Sequence, residues 1–188
     1  MSISQQTIPG STLSIARYTG FAQFMHWLIA LTIFGMFALG LTLDGAPRAT
    51  KTWWVNIHTC VGHVLFAFVL YRLFYRISHT PPPLPAGASD LVRRLGTASH
   101  HLMYLFLIAI PIVGIVAAVW HARVFDFGLF QVNFGVANTK SIYEPAENIH
   151  SYLVFTFMGL VVLHFLASLW HHFFQKDGML WRMLPGGK

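Results

Sequence analysis

The stretch that decides the fold is residues 150–174, HSYLVFTFMGLVVLHFLASLWHHFF, which contains no Asp, Glu, Lys or Arg. A helix needs about 20 consecutive, mostly apolar residues to cross the hydrocarbon core of a bilayer, so this stretch predicts a membrane span. Its histidines are unusual, because ionisable side chains are costly in lipid unless they have a partner. His150 and His164 lie 14 residues apart, which is about 21 Å along a helix and within about 40° of one face. This span therefore presents two imidazoles at two membrane depths.

Three further stretches have the same apolar character, at residues 21–43, 55–77 and 100–120. Of the 188 residues in the chain, 55% are hydrophobic and 10% are charged, and the mean hydropathy is +0.58. This composition excludes an ordinary soluble enzyme, a disordered chain and a nucleic-acid-binding arm. The single cysteine, Cys60, excludes an internal disulfide and a CxxCH motif for covalent haem attachment. The sequence thus predicts one all-α domain, an integral membrane four-helix bundle.

The links between the spans set the topology. The turn Asp44–Trp54 is short, the second link contains a proline spacer, and residues 121–149 form a long Phe-rich link that is expected to cap the membrane surface. The prolines of the spacer are Pro81, Pro82, Pro83 and Pro85. Four spans place both termini on one side, called the terminal side here; the opposite side is called the outer side.

Positively charged residues predict that the terminal side is cytoplasmic, because cytoplasmic loops carry an excess of Lys and Arg. On the terminal side lie Arg17, Arg72, Arg76, Arg93, Arg94, Lys176, Arg182 and Lys188; on the outer side lie Arg48, Lys51, Arg123 and Lys140. Both termini are therefore expected in the cytoplasm.

Two histidines of the first two spans match the depths of those in the fourth. His58 lies near the outer start of its span, at the depth of His150, whereas His26 lies near the terminal-side start of its span, at the depth of His164. Two pairs at two depths predict a bundle that holds two haems, each with two histidine ligands, and this favours electron transfer over oxygen binding. Other candidates for the inner, terminal-side haem are His171 and His100.

With these residues the chain resembles the bacterial cytochrome b561 family, four-helix cytochromes of the inner membrane that bind two haems b. The resemblance covers nearly all of the chain. It is carried by Arg17-Tyr18-Thr19, His26-Trp27, His58, Gly62, Arg72, Arg76, His100, Tyr104, Pro111, His150, His164, His171, His172 and Leu180-Trp181-Arg182-Met183-Leu184-Pro185. It implies that His26 and His164 ligate the inner haem, and that His58 and His150 ligate the outer one. It also implies a superoxide oxidase, which passes electrons between superoxide outside and ubiquinone in the membrane.

Two cations are candidates to bind haem propionates. Arg72 lies 14 residues after His58, so it shares that face about 21 Å deeper, near the inner haem. Lys51 is the candidate on the outer side. The alternatives are a snorkelling arginine for Arg72 and a solvated loop lysine for Lys51.

Reduction of ubiquinone consumes protons as well as electrons, so its site needs titratable groups beside a haem. His171 is the first candidate for a catalytic residue because it lies beyond the inner haem on the terminal side, and His100 is the second. His172 is a further candidate, or else a histidine of the headgroup region.

An anionic superoxide substrate favours a positively charged approach on the outer side, for which Lys51, Arg48 and Lys140 are candidates. The acidic residues Asp44, Asp126, Glu144 and Glu147 leave the outer loops without net positive charge. The lipid bilayer, ubiquinone and superoxide are the expected partners, and no nucleic acid is expected.

Two other functions fit the same sequence. The first is the membrane cytochrome b subunit of a larger dehydrogenase or hydrogenase, with the long outer link docking an electron-donor protein. The second is a small proton-coupled transporter that uses intramembrane histidines as proton relays and is colourless. The histidines without an assigned partner, expected to be interfacial or packing residues, are His63, His79, His101 and His121.

Overall fold

The fold is an antiparallel bundle of four helices, seen in a computed structural model that describes residues 16–83 and 89–186. The helices are α1 (Gly20–Leu43), α2 (Arg48–Ser78), α3 (Asp90–Trp120) and α4 (Lys140–Trp170). A π-helical turn, His171–Gln175, continues α4, and a 3-10 turn follows at Leu180–Arg182. All four helices are long and apolar enough to cross a membrane, which confirms the predicted bundle. Pro85 and Lys188 lie outside the described residues.

Local sequence signals explain where the helices begin and end. The hydroxyl of Thr19 accepts a hydrogen bond from the Ala22 amide at the start of α1, and Ser89 caps α3 in the same way. Such caps satisfy amide donors that a first helical turn leaves without partners. At the C-terminal end of α2, the backbone of His79 is extended. The prolines that follow shortly after it cannot continue a helix.

The first three predicted spans each lie within one helix, and the fourth lies within α4 and the π-helical turn that continues it. Helices α3 and α4 extend further into the interfaces. Helix α3 begins at Asp90 and α4 at Lys140, about ten residues before the spans predicted at 100 and 150. Their first turns are polar, and Lys140 pairs with Glu144 across one turn of α4 at 3.2 Å. A polar helix that leaves the membrane carries no apolar signal, which is why hydropathy alone missed these turns.

The expectation of a link over residues 121–149 was therefore wrong in its second part, since helix α4 takes up residues 140–149. The remaining link contains a small antiparallel hairpin of β1 (Phe125–Asp126) and β2 (Gln131–Val132). The Asn56 side chain of α2 holds this hairpin by two hydrogen bonds to the Asp126 backbone, at 2.8 and 3.0 Å. Phe125 is only 2% exposed and packs against the ring of His63. The link is thus fixed on the outer end of α2.

Helices α1, α2, α3 and α4 pack in sequence order, and the buried core lies in the middle and terminal-side part of the bundle. Its members are Met25, Ile29, Val69, Tyr104, Leu107 and Phe157. Many large apolar side chains are instead exposed, among them Leu31, Phe74 and Leu163. In a bilayer these side chains face lipid, where exposure of apolar surface has no cost.

A buried arginine, Arg182, connects the segment after α4 to the residues that precede α1. Arg182 is 4% exposed, and its guanidinium donates to the carbonyls of Ala16 and Pro82 at 3.1 and 2.5 Å. Gln23 donates in turn to the Arg182 carbonyl at 3.1 Å. These hydrogen bonds join the start of α1, the link after α2 and the segment after α4.

Candidate haem-binding site

Two histidine pairs lie at two depths in the bundle, and each pair has one member on α4. On the outer side, the ring centres of His58 and His150 lie 6.3 Å apart; towards the terminal side, those of His26 and His164 lie 6.5 Å apart. These are the pairs that depth and resemblance predict. Since 14 residues of α4 separate His150 and His164, the two pairs lie about 21 Å apart along the bundle.

The spacing within each pair fits one metal ion between two imidazoles. A bond from a metal to a histidine nitrogen is about 2 Å long, and the ring centre lies about 1 Å further on, which gives about 6 Å between the two centres. Among the described residues, no group of three or more His, Cys, Asp or Glu side chains is placed to hold a bare metal ion. Two histidine ligands therefore suit a metal whose other positions are filled by a macrocycle, as in haem.

The contacts of the outer pair also suit a cofactor. His150 Nδ1 donates to the Ile110 carbonyl at 3.0 Å, which orients the ring and leaves Nε2 as a ligand. His58 Nδ1 is buried and has no hydrogen-bond partner among the described residues, an arrangement that is costly for the polypeptide alone. Glycines lie against both rings: a Cβ on Gly114 would come within 3.0 Å of His150, and one on Gly40 within 3.5 Å of His58.

The inner pair lies in a cluster of imidazoles and one guanidinium. Arg72 donates to His26 Nδ1 at 3.2 Å and to the Tyr104 hydroxyl at 3.0 Å. The ring of His100 lies 5.9 Å from that of His164, slightly closer than the ring of His26. Both predicted neighbours of the inner haem, Arg72 and His100, are thus within reach of this pair.

His171 lies in the π-helical turn at the end of α4. Beyond it the chain reverses through Lys176 and Gly178, both with positive φ, and this brings Asp177 back beneath the ring. Asp177 Oδ2 accepts from His171 Nδ1 at 2.5 Å, and its Oδ1 accepts from the Met179 amide at 3.0 Å. Sequence reasoning missed Asp177. The Asp-Gly pair six residues after His171 was the available signal, since it predicts a turn.

The positively charged residues of the outer side have different neighbours. Lys51 lies in the first turns of α2 beside Arg48, whereas Lys140 is paired with Glu144. A cavity of about 330 Å³ opens between α2 and the start of the outer link, and Arg123 lines it. Its other lining residues are Thr52, Val55, Asn56, Thr59, His121, Ala122, Val124 and Phe125. Sequence reasoning did not find this cavity, because it depends on how the hairpin packs.

Three of the histidines without an assigned partner pack on aromatic rings. His63 packs edge-on against Phe125, and His79 is stacked on Tyr75 at 3.8 Å. His121 is stacked on Tyr143 and lies 3.2 Å from the Glu147 carboxylate.

Comparison with known proteins identifies the family of this chain. The family model described as prokaryotic cytochrome b561 matches residues 17–186. Cytochrome b561 homolog 2 of Escherichia coli (strain K12) is 32% identical over 176 residues, covering 89% of this chain and 91% of the relative. The probable superoxide oxidase CybB of Yersinia pestis is 32% identical over 170 residues, covering 86% and 92%. Cytochrome b561 homolog 1 of E. coli (strain K12) is 24% identical over 174 residues, covering 92% and 99%. The chain therefore belongs to the prokaryotic cytochrome b561 family, membrane proteins that bind haem b and transfer electrons.

Proposed function

We propose that the protein binds two haems b and carries electrons across the bilayer, from superoxide at the outer side to ubiquinone near the terminal side. The observation that carries this proposal is the presence of two histidine pairs at two depths, each with one member on α4 and the other on α1 or α2. A relative of 32% identity is named a probable superoxide oxidase, and this supports superoxide as the donor. We place the protein in the bacterial inner membrane with both termini in the cytoplasm, because the terminal side carries most of the Lys and Arg.

The residues that would hold the two haems are His58 and His150 for the outer one, and His26 and His164 for the inner one. Haem b ligated by two histidines supplies a one-electron couple at an iron without an open coordination position. Arg72 and Lys51 are the cations for the propionates. An imidazole that ligates through Nε2 keeps its proton on Nδ1, so His26 would no longer accept from Arg72. The Arg72 Nη2 donor would then be free for a carboxylate.

His171 and Asp177 supply the proton chemistry of the quinone site. Asp177 accepts from His171 Nδ1, so it fixes the tautomer and leaves Nε2 as the atom that exchanges a proton with a quinone oxygen. Two superoxide anions each lose one electron and leave as dioxygen; one ubiquinone gains both electrons and two protons to become ubiquinol. Those protons enter from the terminal side through His171. His100, beside His164, is the second group placed to serve the quinone.

On the outer side, an incoming anion would meet Lys51, Arg48 and the cavity lined by Arg123. Lys140 contributes less, because its charge is paired with that of Glu144. A local positive region near the outer haem is enough to steer a small anion, even where the outer loops as a whole carry no net positive charge.

The function is tested with the purified holo-protein, a superoxide source and a soluble ubiquinone analogue. We expect superoxide to reduce the haems and the quinone to reoxidise them, with one quinol formed for every two superoxide anions. A haem-loaded protein that is inert towards superoxide but is reduced by a stoichiometric co-purifying protein would instead be the membrane subunit of a larger dehydrogenase or hydrogenase. A colourless protein that takes up no added haem would point to the transporter.

Gly114, which lies against the ring of His150, offers a direct test of the outer haem site. We expect Gly114→Ala to weaken haem binding by the His58–His150 pair about tenfold, because the new Cβ would overpack the His150 ring. Haem titration of the apoprotein measures this affinity. Gly159→Ala is the matched control on α4, since a Cβ there meets nothing within 4 Å. Unchanged affinity in Gly114→Ala would show that His150 does not ligate from this position.

A further inference from the structure

A cavity of about 290 Å³ lies at the terminal end of the bundle, between α1 and α2. Its charged and titratable lining consists of Arg17, Arg72, Arg76 and His79, with the phenol groups of Tyr18, Tyr75 and Tyr104. No Asp or Glu is among the described residues that line it. The cavity therefore concentrates positive charge at the depth where the lipid headgroups of the terminal-side leaflet lie.

Most of the arginines in this region have partners within the protein. Arg72 donates to His26 and Tyr104, Arg17 donates to the carbonyls of Trp181 and Leu184, and Arg182, next to the cavity, donates to two further carbonyls. All of these acceptors are uncharged. The guanidinium groups of Arg72 and Arg182 thus have hydrogen bonds to uncharged groups.

Arg76 differs from these arginines. In the part of the chain that the structure describes, its guanidinium makes no hydrogen bond or ion pair, and its closest aromatic contact is the Tyr104 ring at 5.9 Å. The two described acidic residues of the terminal side are engaged elsewhere, since Asp90 lies 3.9 Å from Arg93 and Asp177 binds His171. A half-buried cation of this kind favours an anion supplied from outside the polypeptide.

A neighbouring hydroxyl also lines the cavity. Thr80 lies at the same rim as Arg76. The guanidinium and the hydroxyl together offer N–H and O–H donors that suit phosphate oxygens.

The cavity lies beside a lipid-facing surface. Phe21, in its lining, is 40% exposed, and its ring meets that of Tyr71, which is 52% exposed, edge-to-face at 5.9 Å. These exposed rings lead from the cavity towards the bilayer centre and offer an apolar track for acyl chains. A ligand that joins an anionic phosphate to acyl chains would use both features.

We propose that this cavity binds the headgroup of an anionic phospholipid, with Arg76 as the main contact to its phosphate. The cavity adjoins the inner haem site, since Arg72 lines it and also contacts His26. Arg76 lies one helical turn, about 6 Å, nearer the surface. Basic pockets between membrane helices bind anionic headgroups in this way. The proposal stands whether or not superoxide is the electron donor.

The test compares lipid binding by the delipidated holo-protein in detergent, using native mass spectrometry with phosphatidylglycerol and with zwitterionic phosphatidylcholine. We expect the wild type to bind phosphatidylglycerol in preference, and Arg76→Gln to bind it about tenfold more weakly with unchanged haem content. Arg93→Gln is the matched control, because it removes one terminal-side positive charge outside the cavity. Its lipid binding should equal that of the wild type.

Three outcomes would overturn the proposal. Equal binding of both lipids by the wild type would show that binding does not require an anionic headgroup. Loss of haem from Arg76→Gln with unchanged lipid binding would assign this arginine to a haem propionate. Displacement of phosphatidylglycerol by millimolar inorganic phosphate would identify a site for free anions, in which the acyl chains play no part.

Discussion

Substitution of His58 by alanine is expected to remove one of two haems and to leave the other bound. The two histidine pairs lie about 21 Å apart along α4, and they share no ligand, so the loss of one pair leaves the other intact. The haem content should fall from two to one per chain, and the remaining spectrum should be that of a single low-spin b-type centre. Haem quantification per polypeptide, with oxidised and reduced spectra, measures both quantities.

Two further variants complete this test. His63→Ala is the control, because His63 lies on the same helix but packs against Phe125, and it should retain both haems. His26→Ala should lose only the inner haem. If that variant keeps two haems, His100 is the inner ligand, since its ring lies 5.9 Å from that of His164. If His58→Ala itself keeps two haems, the outer ligand scheme is wrong.

Loss of His171 is expected to slow quinone reduction about a hundredfold, because general acid–base catalysis contributes a factor of this order. The His171→Ala variant should keep both haems, and superoxide should reduce them at the wild-type rate, since His171 acts after the electrons reach the inner haem. Asp177→Asn should slow the same step, because the amide no longer fixes the tautomer of His171 through the 2.5 Å contact. Stopped-flow spectroscopy separates haem reduction by superoxide from haem reoxidation by quinone.

His172→Ala is the matched control for this step. His172 is the adjacent imidazole, and its ring packs against Trp181 at 5.6 Å, so its removal should leave the quinone step nearly unchanged. Unaltered reoxidation in His171→Ala would exclude this residue from proton delivery. Equal slowing of haem reduction and haem reoxidation would show general damage to the bundle instead.

The outer link shows why some elements escape prediction. Its aromatic residues indicated a cap on the membrane surface, but the hairpin depends on hydrogen bonds between Asn56 and Asp126, which are distant in sequence. The first turns of α4 were missed for a different reason, because they are polar and lie outside the apolar span. Residues 140–149 were therefore placed in the link, although they are helical.

The candidate site was likewise predictable from the sequence only in part. The pairing of depths for His58 with His150, and for His26 with His164, follows from the helical rise of 1.5 Å per residue, a local property that the sequence determines. Depth left His100 and His171 as rivals for the inner haem. In the structure, His100 lies beside His164, whereas His171 is directed to Asp177.

The sequence by itself determined the four spans, the shared side of the termini and the depth of each histidine, because hydropathy and helical geometry are local and the bilayer restricts where a span can lie. The tertiary structure decided which imidazoles meet and that Asp177 returns beneath His171. It also placed Arg76 beside a cavity without a carboxylate partner among the described residues. These features depend on how helices rotate about their axes and pack, and on how a short turn reverses the chain. Such packing arises from contacts between residues far apart in sequence, which no local pattern specifies.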